Sequence, residues 1–423
     1  MNVFFRICSI CAGVVLWGMA SAGCASPEKS AASPAEQFSC PADDVFGRAA
    51  FIGGVMDFVS KHYVDPQKAD TEKLMTGALR GMLQELDPYS TYIPPRSMAV
   101  RQTQLTGEGV GVGITVSKVP HQELLVVGVV PGSPAALAGI RPGDEVLEVN
   151  NRRMRDQDLA DFLDLVQGKP GTEILLTVRS AGTTVPVLHR LSRKAFVINP
   201  VPPAAVRRFP GGIGYIRIDR FNLHTVRGML AAVRRLQNAG RLRGLILDLR
   251  NNPGGMVDAA VDMVSHFLKP SVTVFSAVGR DAVNARNVQT LDGRQALTGM
   301  PLAVLVNEFS ASASEITAGA LKDHKRAVII GGKTFGKGVI QEVRTLPNGG
   351  AIRYTKAFYR TPGGSKIDGV GVPPDVTVAV TRQDTLLLAR SWQQKAAEKT
   401  VSVPDKILET AMQYMQEKLQ NEP

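Results

Sequence analysis

The chain has 423 residues, room for two or three domains. Its hydrophobic content of 44% is enough to bury a core, which excludes a chain disordered throughout. The net charge of +11 is spread over scattered arginines (Arg152, Arg153, Arg155; Arg207, Arg208; Arg234, Arg235; Arg241, Arg243); with 6% aromatic residues and no nucleic-acid motif, it reads as general surface charge and not as a nucleic-acid face.

Arg6, the apolar stretch Ile7 to Ala20 and the small residues Ala20-Ser21-Ala22 predict a secretory signal over residues 1–22, so export is expected. The apolar stretch is short for a membrane span. Ser21-Ala22-Gly23-Cys24 also fits a bacterial lipoprotein signal, with membrane attachment through a lipidated Cys24. That signal prefers Leu where Ser21 stands, and both readings stay open. All four cysteines lie at or before Cys40; Cys24 and Cys40 can pair in an oxidising compartment unless Cys24 carries lipid. No His/Cys cluster has metal-ligand spacing, and no metal or cofactor is expected. Pro27 to Pro41 is polar and rich in Ser, Ala and Pro, so residues 23–43 read as a disordered tether.

Residues 44–101 carry two helical patterns. Phe46, Ala50, Gly53 and Phe58 share one face; Leu74, Ala78, Leu79, Met82, Leu83 and Leu86 recur at helical spacing between Pro66 and Pro88. Residues 102–193 change character. A glycine-rich run from Gly107 to Ile114 enters a short strand, Leu124 to Val130 is another, and SPAALAGIRPGDEVLEVN (Ser133 to Asn150) reads as turn, short helix, turn, strand. An amphipathic helix is predicted over Asp158 to Val166 and a strand over Thr172 to Val178, with Arg179 at its end weighed as a contact to the following domain. This stretch resembles a PDZ domain, a module that takes an extended peptide as an added strand and holds its terminal carboxylate on backbone N–H groups. Gly111, Val112, Gly113 and Ile114 are the expected carboxylate loop. A dinucleotide-binding reading of the glycines fails, because no βαβ unit follows.

Asn199 to Pro203 reads as a proline-rich hinge. Residues 194–380 then alternate strands and helices: Ile213 to Ile218, Thr225 to Gln237, the near-continuous apolar strand Gly244 to Leu249, the turn Arg250-Asn-Asn-Pro-Gly-Gly255, and a helix from Met256. Arg280 to Thr298 is polar and predicted as a surface loop. Residues 381–423 are predicted as C-terminal helices, with Leu408, Met412, Met415 and Leu419 in an apolar stripe suited to a core or a dimer seam.

Chemistry concentrates between Ser310 and Gln341. Ser310-Ala-Ser-Ala-Ser314 follows the apolar strand Leu302 to Val306 and precedes a helix opened by Ser314-Glu315. A serine there lies beside free backbone N–H groups at a helix N-terminus, which favours negative charge. Ser310 and Ser314 are expected to cap. A serine hydroxyl needs a base, and a lysine serves if burial or nearby positive charge keeps its amine neutral. Lys337, between Gly336 and Gly338 and flanked by Phe335 and Val339, suits that need. Gly331 to Lys337 also matches the first part of a phosphate-binding loop, but Gly338 stands where Mg²⁺ coordination needs Ser or Thr. A Ser–His–Asp triad through Asp248 and His324 is disfavoured: His324 falls near a helix end, and Asp248 and Arg250 read as braces of the turn.

VNEFSASASEITAGAL followed by GGKTFGKGVIQ resembles the carboxyl-terminal processing (tail-specific) serine peptidases, as do LDLRNNPGG (Leu247 to Gly255), LDPYSTYIPP (Leu86 to Pro95) and GVGVPPD (Gly369 to Asp375). The resemblance implies Ser312 as nucleophile, Lys337 as base and Gln341 as the residue orienting it. It implies an oxyanion hole from the backbone of Gly254 or Gly255 with that of Ala313. The implied fold is α/β, a crotonase-like peptidase core with a mainly β PDZ domain and helical N-terminal segments. The implied function is cleavage of proteins near apolar C-terminal tails, in the bacterial periplasm, with a homodimer formed through the N-terminal region. A secreted PDZ scaffold on an inactive core is the competing reading.

Overall fold

The computed structural model describes residues 44–117, 122–155, 157, 159–180, 182–280, 286–392 and 404–421, and the predicted signal, tether and cysteines lie outside them. The chain parts into two units, residues 1–75 and 76–423. The first unit holds α1 (Val45–His62), whose N-cap Asp44 accepts a hydrogen bond from the Gly47 N–H. The second helix, α2 (Thr71–Gln84), begins in it.

In the second unit the segment expected to be helical through residue 101 also contains a strand. Thr91, Tyr92 and Ile93 (β1) are β-branched or aromatic and suit a half-buried pleat. A helix, α3 (Met98–Thr106), follows. The next domain holds β2 (Glu108–Gly111), β3 (Ile114–Ser117), β4 (Leu124–Val129), α4 (Pro134–Leu137), β5 (Glu145–Val149), β6 (Arg152–Arg153), α5 (Leu159–Val166), β7 (Glu173–Arg179), β8 (Val187–Ser192) and β9 (Lys194–Val197). Its main sheet runs β3-β4-β5-β7-β8, with β6 on β5, and β2 pairs with β9. Alternation in β7 buries Ile174, Leu176 and Val178 with Phe162 of α5 and Leu124 and Val126 of β4. Arg193 donates to the carbonyls of Leu165 and Val166 and so closes the C-terminal end of α5. Arg179 pairs with Glu145 inside this sheet, not with the following domain, and β7 is not the last strand.

Asn199 to Pro203 is a packed connection and not a free hinge, since Val201 joins the core of the larger domain. That domain is built from β10 (Val206–Phe209), β11 (Ile213–Arg217), α6 (Thr225–Asn238), β12 (Gly244–Asp248), α7 (Val257–Ser265), β13 (Thr273–Gly279), β14 (Arg286–Gln289), β15 (Leu302–Val306), α8 (Ala313–Asp323), β16 (Val328–Gly331), β17 (Val339–Thr345), β18 (Ala351–Arg360), β19 (Val376–Thr377), α9 (Arg382–Ser391) and α10 (Lys406–Gln420). The predicted loop at 280–298 therefore includes a strand, β14, antiparallel to β13. One sheet runs β10-β11-β12-β15-β16-β19, parallel from β11 onward. Helices α6, α7 and α8 cover one face and α10 the other. The apolar stripe of α10 is thus core: Leu408, Met415 and Leu419 pack on Ile213, Ile246 and Leu305. A second sheet places β18 between β17 on one side and β1 and β13 on the other.

A buried charge cluster fixes the end of β12. Asp248 accepts from the Tyr215 hydroxyl at 2.6 Å and from the Arg250 backbone and guanidinium, and Arg250 reaches Asp405 ahead of α10 at 2.5 Å. Asp248 is fully buried. Asp248→Asn leaves the buried Arg250 charge with Asp405 as its one carboxylate partner among the described residues, and we expect a loss of about 1.5–3 kcal/mol in urea unfolding.

Candidate active site

Parallel strands β12 and β15 end side by side, and the turns that follow them are laced together. Ser310 donates its hydroxyl to the Leu249 carbonyl at 2.8 Å, and Ser314 donates to the Asn252 carbonyl at 2.9 Å. Both serines therefore tie the two turns instead of capping α8. The Asn251 N–H donates to Asn307 Oδ1, and the Asn307 amide donates back to Asn251 Oδ1. Between these ties stands Ser312, at φ 56° and ψ −115° just before α8. That conformation costs a non-glycine residue of order 1–3 kcal/mol and persists only where its surroundings enforce it. The Ser312 N–H donates to the Glu315 side chain at the start of α8, the backbone half of a capping box.

A single carboxylate holds the arrangement together. Glu315, fully buried, accepts at Oε2 from the backbone N–H groups of Ser312 and Lys337, both at 2.8 Å. At Oε1 it accepts from the Thr334 hydroxyl at 2.6 Å and the Gly336 N–H at 2.7 Å. Burial pushes its carboxyl up, against these four bonds, which pull it down. The same contacts dispose of the phosphate-loop reading, because the N–H groups of Gly336 and Lys337 that would cradle a phosphate are spent on Glu315.

Lys337 is half-buried, with its Nζ 5.1 Å from the centre of the Tyr89 ring. Burial holds its ammonium below the ordinary lysine range, helped by the charges of Arg353 and Arg101 and opposed by Asp87 and Glu315. Gln341 donates to the Tyr89 carbonyl at 2.8 Å, and Arg353 donates to the same oxygen at 3.1 Å. Lys337 and Gln341 thus converge on Tyr89 and not on each other. Among the described residues no hydrogen bond joins Lys337 Nζ to Ser312 or to Gln341. Tyr359 reaches between them: its hydroxyl donates to the Lys337 carbonyl and lies within bonding reach of the Ser312 side chain. Burial, with the Glu315 charge next in weight, holds this phenol well above its usual range, so it is a neutral donor.

Two of the three amides expected to form an oxyanion hole are available. The Gly254 N–H donates to Asn252 Oδ1 at 2.9 Å, which removes it from the set. The N–H groups of Gly255 and Ala313 have no partner among the described residues. Gly254 serves the site by its lack of a side chain. A Cβ there falls 2.8 Å from Ser312 Cβ and 2.9 Å from the Ala313 nitrogen. Neither member of the disfavoured triad approaches Ser312: His324 Nε2 bonds the Thr273 carbonyl, and Asp248 is consumed by Tyr215 and Arg250.

In the smaller domain β3 is an edge strand whose outer edge has no pairing strand among the described residues. The carbonyls of Val112 and Gly113 accept from Ala135 and Val130. The N–H groups of these two residues carry no bond among the described residues. Gly111 belongs to the β2–β9 ladder, and Ile114 opens β3.

Three family models match the chain. The model of "Peptidase family S41" matches residues 212–378, a PDZ domain model matches 125–180, and "Activating protease CtpB N-terminal domain" matches 9–96. The carboxy-terminal-processing protease of Bartonella bacilliformis is 36% identical over 340 residues, which is 79% of this chain and 76% of that protein. The chain belongs to peptidase family S41, among the carboxy-terminal-processing proteases. It is a serine-type peptidase with a PDZ domain. A probable CtpA-like serine protease of Staphylococcus aureus is also 36% identical, over 76% of this chain and 63% of that one. A putative S41 protease from Bacteroides fragilis shares the fold at a TM-score of 0.51, with 18% identity over 79% of this chain and 87% of that chain. The photosystem II D1 C-terminal processing protease aligns at 31% identity and a TM-score of 0.45, over 83% and 98% of the two chains.

Sequence reasoning did not single out Glu315, Tyr89, Tyr359 or Arg353. Ser312-x-x-Glu315 does carry the capping-box signature, which could have drawn attention to Glu315. Glu315→Gln replaces one acceptor oxygen with an amide that faces two donors. We expect about 2–3 kcal/mol lost in urea unfolding and a fall in kcat. Gly254→Ala should leave the protein folded and lower kcat about 100-fold, since a misplacement of about 1 Å beside the reacting atoms has that effect; steady-state kinetics with circular dichroism as a folding control checks it.

Proposed function

We propose that this S41 peptidase works through a serine–lysine pair, Ser312 and Lys337, on proteins whose apolar C-terminal tails are captured by the PDZ domain. The observation that carries the reading is the Glu315 carboxylate, which holds the backbone of Ser312 and of Lys337 at one point. In the reaction, the Lys337 side chain leaves the Tyr89 ring for the Ser312 hydroxyl. Ser312 Oγ bonds to the scissile carbonyl carbon while its proton passes to the neutral Lys337 amine. The N–H groups of Gly255 and Ala313 stabilise the oxyanion. Collapse breaks the C–N bond, and Lys337 returns the proton to the leaving amine. Water, deprotonated by Lys337, then releases the acyl group from Ser312. Gln341 acts through Tyr89, whose carbonyl it fixes beneath the base.

The tail reading rests on the open edge of β3 and the free N–H groups of Val112 and Gly113, which suit an added strand and its carboxylate. Phe335, Phe358 and Val370 lie exposed around the Lys337 loop and suit apolar residues near the cut. Export through residues 1–22 to the periplasm, lipidation of Cys24 and a homodimer through the N-terminal helices belong to the same proposal.

The test is cleavage of an unstructured protein ending in an apolar tail, by the chain lacking residues 1–24. Ser312→Ala and Lys337→Ala should each lower kcat by about 10³–10⁴ or more while tail binding, read by fluorescence anisotropy, is kept. Cleavage that survives Ser312→Ala overturns the reading. Tail binding by the parent without any cleavage favours a scaffold.

A further inference from the structure

Two arginines whose charges act on the candidate base, Arg353 and Arg101, form no ion pair with an acid among the described residues. Arg353, on β18, spends its Nε on the Tyr89 carbonyl, the oxygen that Gln341 also uses, while the Tyr89 ring lies under Lys337 Nζ. Arg101, on α3, makes no hydrogen bond and no ion pair among the described residues. Both are about half-buried. Arg353 and Lys337 thus meet at Tyr89 in a partly dry setting, and the Arg101 charge also acts on Lys337. Burial of unpaired charge is costly, and a fold under no other demand pairs such groups or turns them to water.

The acids nearby form no ion pair with either arginine among the described residues, although the Asp87 charge acts on Arg353 and on Lys337. Asp87 accepts from the N–H groups of Tyr89 and Ser90 and from the Ser90 hydroxyl. Glu315 carries four hydrogen bonds of its own. Tyr359 is neutral, and Asp368 accepts from the Gly338 N–H. The groups facing Lys337 are therefore Arg353 from β18, Arg101 from α3, Asp87 and Tyr89 from the turn before β1, Glu315 from α8, Tyr359 from β18 and Asp368 from the loop before β19.

We propose that Arg353 and Arg101 are positioning residues for the base, two fixed positive charges that drive the proton off Lys337 so that its amine accepts the one from Ser312. This rests on the serine–lysine reading above. The sign is definite. Removing a positive neighbour raises the proton affinity of Lys337, so the acid limb of the rate profile moves to higher pH. Restoring the charge moves it back, whatever happens to hydrogen bonds.

The experiment is the pH dependence of kcat/KM on a peptide with no group titrating in the same range. It uses the parent, Arg353→Gln, Arg353→Lys, Arg101→Gln and Lys337→Ala. We expect both Gln variants to lose about three- to ten-fold on the acid limb, equivalent to a shift of about 0.5–1 unit, and to approach the parent rate on the alkaline side. Arg353→Lys should keep the parent limb. An unmoved limb in both Gln variants overturns the proposal. So does an Arg353→Lys limb displaced like that of Arg353→Gln, which assigns Arg353 to support of Tyr89 alone. Should Arg353→Gln fail to fold, Arg101→Gln decides, since Arg101 has no hydrogen bond to lose. Activity retained by Lys337→Ala is a separate failure, that of the serine–lysine reading itself.

Discussion

The Glu315 carboxylate is the constraint on which the site depends. A buried carboxylate is tolerable only when its lone pairs are filled, and four donors fill these. Two are the backbone N–H groups of Ser312 and Lys337, the proposed nucleophile and base. The desolvation cost of one acid thus becomes a positional restraint on two loops from different parts of the sheet. It also accounts for the strained φ of Ser312, which the N–H bond to Glu315 and the ties through Ser310 and Ser314 enforce together. It is the N–H of Ser312 that this frame fixes, while Tyr359 lies within reach of its side chain.

The fold supplies the rest by register. Parallel pairing of β12 with β15 brings the turns after them together at the same sheet end, where α7 and α8 begin. Gly254 then lies against Ser312 and Ala313 with no room for a side chain, and the unbonded N–H groups of Gly255 and Ala313 remain nearby. The second sheet does the same for the base. Pairing of β18 with β17 and β1 sets Gln341, Arg353 and the Tyr89 turn side by side. The 95–97 turn that follows β1 meets α5 of the PDZ domain, so one continuous segment joins that domain to the Tyr89 turn beside Lys337.

Much of this was legible in the sequence where chemistry and local pattern coincide. Ser312 before a helix, Lys337 between glycines, the presence of a PDZ domain and the alternating core are local signals. What escaped was set by long-range pairing. Tyr89 and Arg353 belong to ordinary residue types, and only the β1–β18 register joins them. Glu315 looked like a helix-opening acid, and its reach to residues 334–337 depends on where β16 ends. Ser310 and Ser314 were read as caps because serines near helix starts usually are; a neighbouring turn offered their hydroxyls better acceptors. Gly254 was offered as an oxyanion donor because nothing in the sequence shows that the Asn252 side chain folds back onto its N–H. The strand at 286–289 was hidden by its polar composition, since it lies at a sheet edge and needs no apolar run.

The two halves of the site are held by different means, and the difference has a mechanical consequence. Backbone amides fixed on a buried carboxylate cannot move without leaving that charge unsatisfied, so the frame around Ser312 and the Lys337 main chain is rigid. The Lys337 side chain is held only by a ring face, a contact worth about 0.5–2 kcal/mol, comparable to thermal energy at its lower end. A neutral amine is attracted to that ring far less than an ammonium. On the proposed serine–lysine reaction, loss of the proton therefore both creates the base and weakens the contact that keeps it from the serine. Positive neighbours that favour the neutral form act on chemistry and on release through the same charge.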